Sequence, residues 1–161
     1  MKQKTKFKKT EIIEKLRSAI RTLFNQDAFL LEHNANERAV SHKLAEYLQQ
    51  QFPDYNVDCE YNRDGSDIKK LDGIRECESN KTDRVLPDIL VHIRGHDEDN
   101  LIVIEIKTNL NNESCDTKKL KLFTKQDGSY KYDYGFFIRF NGLNTELRLF
   151  QDGKEIKDEE N

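Results

Sequence analysis

Glycine is scarce in this sequence, with seven residues in a chain of 161. No Gly-rich stretch of the kind that wraps a phosphate occurs, and no Gly-x-Ser-x-Gly elbow occurs either. The signatures of P-loop nucleotide hydrolysis and of the serine-hydrolase nucleophile elbow are therefore both missing. Cysteine is scarcer still. Cys59, Cys77 and Cys115 are odd in number and lack Cys-x-x-Cys spacing. Neither a disulfide framework nor a zinc knuckle is expected, and a reducing cytoplasm is the expected setting. His33, His42 and His96 stand at no zinc-like spacing from any of them. No apolar run approaches the roughly 18 residues that a membrane span requires. The basic opening leads into an amphipathic pattern rather than an apolar signal core, so export is not expected.

An excess of positive charge is also missing. The formal net charge is −3, whereas a protein that grips nucleic acid by bulk electrostatics is basic, because binding runs on counterion release. Any nucleic-acid contact must therefore be local. It can come from the five lysines among the first ten residues, from a basic face, or from a metal that bridges carboxylates to phosphate. The opening segment, residues 1–9, reads either as a solvated basic tail or as a nucleic-acid arm.

What the chain does have is a few concentrated apolar segments in a composition that is 35% hydrophobic and 35% charged. Its length suits one domain, residues 1–161, with a core of its own. The spacing of Ile12, Ile13, Leu16, Ala19, Ile20, Leu23 and Phe24 predicts a helix over Thr10–Gln26, capped by Thr10. A second helix is predicted from Asn36, its cap, to Gln51, ending before Pro53. Strands are expected at Val57–Tyr61, Val85–Arg94 and Leu101–Thr108, the last two joined as a hairpin through the polar turn 95–100. Asp116 is expected to cap a short helix, Thr117–Thr124. Strands Tyr134–Phe140 and Glu146–Phe150 follow, with a turn at Asp152-Gly153. Residues 62–84 carry six acidic and six basic side chains and few apolar ones, and are expected to be an insertion. The order is α-α-β-β-β-α-β-β, an α/β (α+β) chain with a mixed sheet.

The chemistry lies on the hairpin. Strand side chains alternate, so Glu105 and Lys107 leave the same face, roughly 6 to 7 Å apart at the backbone. The opposite row, Ile102, Ile104 and Ile106, is apolar. A register that sets Asp88 across from this pair brings two carboxylates beside one ammonium group. Hard oxygen ligands of this kind suit Mg²⁺, with Mn²⁺ as a substitute. On the second helix Glu37 shares a stripe with Leu44 and Leu48. It reads either as a site acid or as a first-turn acid that complements the helix dipole. His92 falls on the same strand face as Asp88.

Pro87-Asp88 and Glu105-Ile106-Lys107, on consecutive apolar strands with an acid-bearing helix upstream, resemble the signature of the PD-(D/E)xK nuclease-like superfamily. Acid-x-lysine triplets occur five times in the chain, but Glu105-Ile106-Lys107 alone sits in that context. The resemblance implies a restriction-endonuclease-like αβββαβ core with an extra N-terminal helix. It also implies a metal-dependent nuclease that hydrolyses phosphodiesters, with DNA the expected substrate. Asp88, Glu105 and the Ile106 carbonyl are then the implied Mg²⁺ ligands, Lys107 the catalytic lysine and Glu37 the helix-borne acid. The stretch from Asp116 to Lys119 on the following helix is similar to the place of a further polar site residue, with Lys119 the better candidate. Small members of the superfamily need a dimer or a partner protein to grip a substrate, and a binding or assembly module of the same fold without catalysis is the alternative.

Overall fold

The computed structural model describes residues 7–61, 63–64, 67–68, 77 and 86–157. Most of the expected basic tail (residues 1–6) and most of the 62–84 insertion lie outside the described residues.

Helix α1 spans Lys9–Glu32. It starts one residue earlier than expected, because the Glu11 carboxylate, not Thr10, accepts the Lys8 N–H (2.7 Å). It also runs on through Phe29, Leu30 and Leu31, past the expected end at Gln26. The helix is interrupted at Asp27 (φ −130°, ψ 30°). There the Tyr47 hydroxyl donates to the Asp27 carboxylate, a bond that pushes the phenol up to about 12. Helix α2, Glu37–Gln51, begins where the cap predicts, since the Asn36 side chain accepts the Ala39 N–H at 2.9 Å. The apolar stripes of the two helices, including Leu16, Leu23, Val40, Leu44 and Leu48, belong to one buried cluster.

Strand β1 is Asn56–Cys59, and β2 (Arg63–Asp64) pairs with β3 (Asp67–Ile68) as a separate two-stranded ribbon. The main sheet continues with β4 (Ile89–His92), β5 (Ile102–Lys107), β6 (Tyr134–Asn141), β7 (Asn144–Gln151) and β8 (Lys154–Ile156). Its spatial order is β1-β4-β5-β6-β7-β8. Among the described strands only β5 and β6 run parallel, and helix α3 (Ser114–Thr124) makes the crossover between them. The described residues form a mixed α/β structure of three α-helices and an open six-stranded mixed sheet, in agreement with the expected class.

Several boundaries differ from expectation. Strand β4 is shorter than Val85–Arg94. Tyr61 lies beyond β1 rather than on it, because Glu60 adopts a left-handed conformation (φ 49°) that ends the alternation. Helix α3 starts before Asp116, which stands in its first turn instead of capping it. Strand β8 was not expected. The turn that feeds it is the expected Asp152-Gly153, both residues at positive φ.

The expected face assignment holds. Ile89, Val91, Ile102, Ile104, Ile106, Phe136 and Ile138 pack toward the α1–α2 layer. Leu90, Val103, Phe137 and Phe150 pack with Leu120 and Phe123 of α3 on the other side. Gly135 sets how close α3 comes. A β-carbon there would lie 3.0 Å from Thr124 Cγ2 and 3.3 Å from Phe150 Cβ, so the absence of a side chain on β6 seats the helix.

Cys77 and Cys115 form a disulfide, with Cα atoms 5.5 Å apart, contrary to the expectation from the odd cysteine count. Cys115 stands at the start of α3 and Cys77 packs on the same core cluster. The fold thus brings together two positions 38 residues apart, a closeness that local spacing does not encode. Cys59 is the free thiol. Among the described residues, no helix is long and apolar enough to cross a membrane.

Candidate active site

The β4–β5 register sets Ile89 against Ile104, and one further step along it brings Asp88 level with Glu105. Pro87, buried, leads the chain into this position with its φ fixed. Asp88 is then pinned. Its Oδ2 accepts the Ile106 N–H at 2.7 Å, and its main-chain carbonyl accepts the Glu60 N–H at 3.2 Å. Burial pushes the Asp88 carboxyl up to about 6, despite the Ile106 N–H and the Lys119 charge, and Glu37 and Asp116 add repulsion.

Glu105 is 2% exposed. Its Oε2 lies 3.4 Å from Lys119 Nζ, while Oε1 is buried with no hydrogen-bond partner among the described residues. Burial holds its carboxyl well above the usual range, and the neighbouring Asp88 and Asp116 charges act in the same direction against Lys119. A buried carboxylate oxygen without a donor is costly, and such groups call for a missing cation or donor.

Lys107 does project from the Glu105 face, but its Nζ is 3.1 Å from Asp116 Oδ2 on α3, both side chains being largely buried. Strand and helix therefore exchange two ion pairs: Glu105 with Lys119, and Lys107 with Asp116. The sequence pattern makes Asp116 a cap, while the resemblance points to the Asp116–Lys119 stretch, Lys119 first, for a further site residue. Their separation of three residues on α3, which puts both on one helix face, is the signal that joins them.

Glu37, half-buried in the first turn of α2, lines a cavity of about 320 Å³ with Arg38, Ser41, Cys59, Glu60 and Asp88. It acts electrostatically on Asp88. Arg38 Nε donates to Glu60 at the mouth (3.0 Å). The Cys59 thiol donates to the Ser41 carbonyl (3.7 Å) and is pushed up to about 11 by partial burial and the carboxylates of Asp88, Glu60 and Asp58. It stays protonated at neutral pH, which makes it a poor nucleophile.

His92 is not part of this group. At the far end of β4, its Nε2 bonds Asp58 on β1 (2.8 Å) and its ring meets Tyr61 edge-on. Burial raises Asp58, but hydrogen bonds from Arg94 and His92 outweigh it and hold the carboxyl below its ordinary value.

No family model, curated protein or solved structure matches this chain.

The site's chemistry is thus read from its own atoms. Among the described residues, no group of three or more His, Cys, Asp or Glu side chains is gathered tightly enough to hold a metal ion. Two acids are adjacent, however, and a main-chain carbonyl follows Glu105 at Ile106. Two carboxylates and a carbonyl fit Mg²⁺, which takes few protein ligands and keeps several waters. The bare Oε1 of Glu105 fits the same reading.

Proposed function

We propose that this chain is a Mg²⁺-dependent nuclease that hydrolyses phosphodiester bonds, with DNA as substrate. The observation that carries the reading is the buried Glu105 carboxylate, with one oxygen unpartnered among the described residues, level with the pinned Asp88. The element order from α2 to β6, with Pro87-Asp88 and Glu105-Ile106-Lys107 on adjacent antiparallel strands, supports the resemblance to a restriction-endonuclease-like core.

Asp88, Glu105 and the Ile106 carbonyl would hold the ion, and Mn²⁺ would substitute. When bound, the ion supplies charge neutralisation at the phosphate and acidifies water. The protein's part is placement. The Ile106 N–H fixes Asp88, the apolar row beneath keeps Glu105 in a fixed position, and Asp116 holds Lys107 as a point charge for the phosphate or the attacking water. Glu37 faces the same cavity as Asp88 and is placed to orient water there. Because the chain is acidic overall, its hold on nucleic acid is local, and a second copy or a partner protein completes the grip.

The test is cleavage of supercoiled and linear DNA, and of RNA, by the full chain with Mg²⁺ or Mn²⁺. The expected products carry 5′-phosphate and 3′-hydroxyl ends, and chelator stops the reaction. No cleavage of any of these substrates with either metal contradicts the proposal. One observation favours a second reading. Lys119 and Asp116 already neutralise Glu105 and Lys107, as in a non-catalytic binding or assembly module built on the same core. Calorimetry that detects no Mn²⁺ binding supports that alternative.

A further inference from the structure

We infer that Lys119 is a resident counter-ion of the acid pair, holding the cation side of Glu105 until a divalent ion displaces it. The inference rests on the metal-site reading above.

The two lysines of the site are unequal. Lys107 is fastened to Asp116 at 3.1 Å. Lys119 meets Glu105 at 3.4 Å, longer than the roughly 2.7–2.9 Å of a well-formed charge-assisted bond. Of the Glu105 carboxylate this contact engages Oε2, and among the described residues the buried Oε1 has no hydrogen-bond partner. A carboxylate this deeply buried is not tolerated as an anion without a nearby cation, and Lys119 also acts on Asp88 across the gap. Lys119 therefore serves both acids at once, which is the task of the metal. Its stem suits displacement. The side chain rises from α3 on a flexible four-carbon stem, so the ammonium can withdraw by rotamer change while the helix, seated at Gly135, stays in place. Lys107 keeps its Asp116 partner throughout. Lys119 is a positioning residue that sets metal affinity, and a single-charge exchange at Glu105 keeps the pocket neutralised in both states.

The test uses Mn²⁺ alone as the probe, titrated calorimetrically into the full chain at pH 8, with Lys119→Met, Lys119→Gln and Lys119→Arg as variants. Loss of the competing charge makes the Met and Gln variants bind Mn²⁺ on the order of tenfold more tightly than wild type. Lys119→Arg, which keeps the charge, shows no such gain. Without metal the two neutral variants melt at lower temperature than wild type, and Mn²⁺ raises their melting temperatures by more. Wild type binding Mn²⁺ while both neutral variants bind equally or more weakly overturns the inference and leaves the metal site standing. No binding by wild type or any variant overturns both. If the neutral variants fail to fold, NMR of wild type with ¹³C-labelled lysine decides. Mg²⁺ is expected to move the Lys119 ε-carbon signal and leave that of Lys107 in place, and an unmoved Lys119 signal overturns the inference.

Discussion

The ammonium group of Lys107, at the end of β5, lies 3.1 Å from Asp116 Oδ2 in the first turn of α3. One residue of the Glu105-Ile106-Lys107 strand segment is thereby tied to helix α3. The position of α3 becomes part of the site, and substitutions on the helix should register in catalysis.

Asp116→Ala is expected to slow cleavage at least tenfold by freeing Lys107. It should also cost about 1–2 kcal/mol of stability, less than for a fully buried pair because both partners keep some exposure. Asp116→Glu retains more of both. Plasmid relaxation rates and urea unfolding of the three proteins check this, and an Asp116→Ala protein that cuts at the wild-type rate contradicts it.

Lys107→Ala and Asp88→Ala are each expected to abolish cleavage while unfolding remains cooperative. The removed groups sit at the rim of the core, and the apolar row Ile102, Ile104 and Ile106 on the reverse face is untouched. Circular dichroism and nuclease assays on the same preparations separate loss of function from loss of fold.

Without metal, stability should fall as pH rises from about 4 to 6. Asp88 moves from its ordinary 3.8 up to about 6, and burial holds Glu105 well above its ordinary value as well. In that window the native state keeps protons that the unfolded chain has released, so stability decreases with pH. Asp58 has the opposite sign. Its depressed carboxyl contributes stability above its unfolded value that is lost on acidification. The melting temperature of metal-free protein is therefore expected to be lower at pH 7.5 than at pH 5. Asp88→Asn combined with Glu105→Gln should narrow the difference. An unchanged difference in the double variant contradicts the assigned shifts.

Much of this site was legible before any coordinates. The parity of β5 separates Glu105 and Lys107 from the isoleucine row, and the short apolar runs around the 95–100 turn specify the hairpin whose register brings Asp88 level with Glu105. The pairing of Asp116 with Lys107 was not legible, since an acid at a helix start reads as a cap. The Lys119 contact depends on the rotation and approach of α3, which are set by packing at Gly135 rather than by local pattern. The continuation of α1 past Asp27 relies on a tertiary bond from Tyr47. The three residues of β8 offer only Ile156 as an apolar signal.

Because the disulfide closes a 38-residue separation, its reduction is expected to cost about 3–4 kcal/mol on the loop-entropy relation. Alkylation under denaturing conditions should label one cysteine before reduction and all three after it. Three labelled cysteines without reductant contradict the pairing.

Gly135→Ala is expected to destabilise the protein by about 1–3 kcal/mol through overpacking against Thr124 and Phe150. It should also slow cleavage, because lifting α3 moves Asp116 and Lys119 together. Denaturant midpoints and cleavage rates test this jointly, and a destabilised but fully active variant contradicts the link from α3 to the site.

The most direct measurement is anomalous diffraction from crystals soaked in Mn²⁺. A peak between the Asp88 and Glu105 carboxylates, within bonding distance of both, is the predicted result. Crystals that diffract well with no anomalous peak there, and with Lys119 still seated on Glu105, would contradict the metal-dependent nuclease.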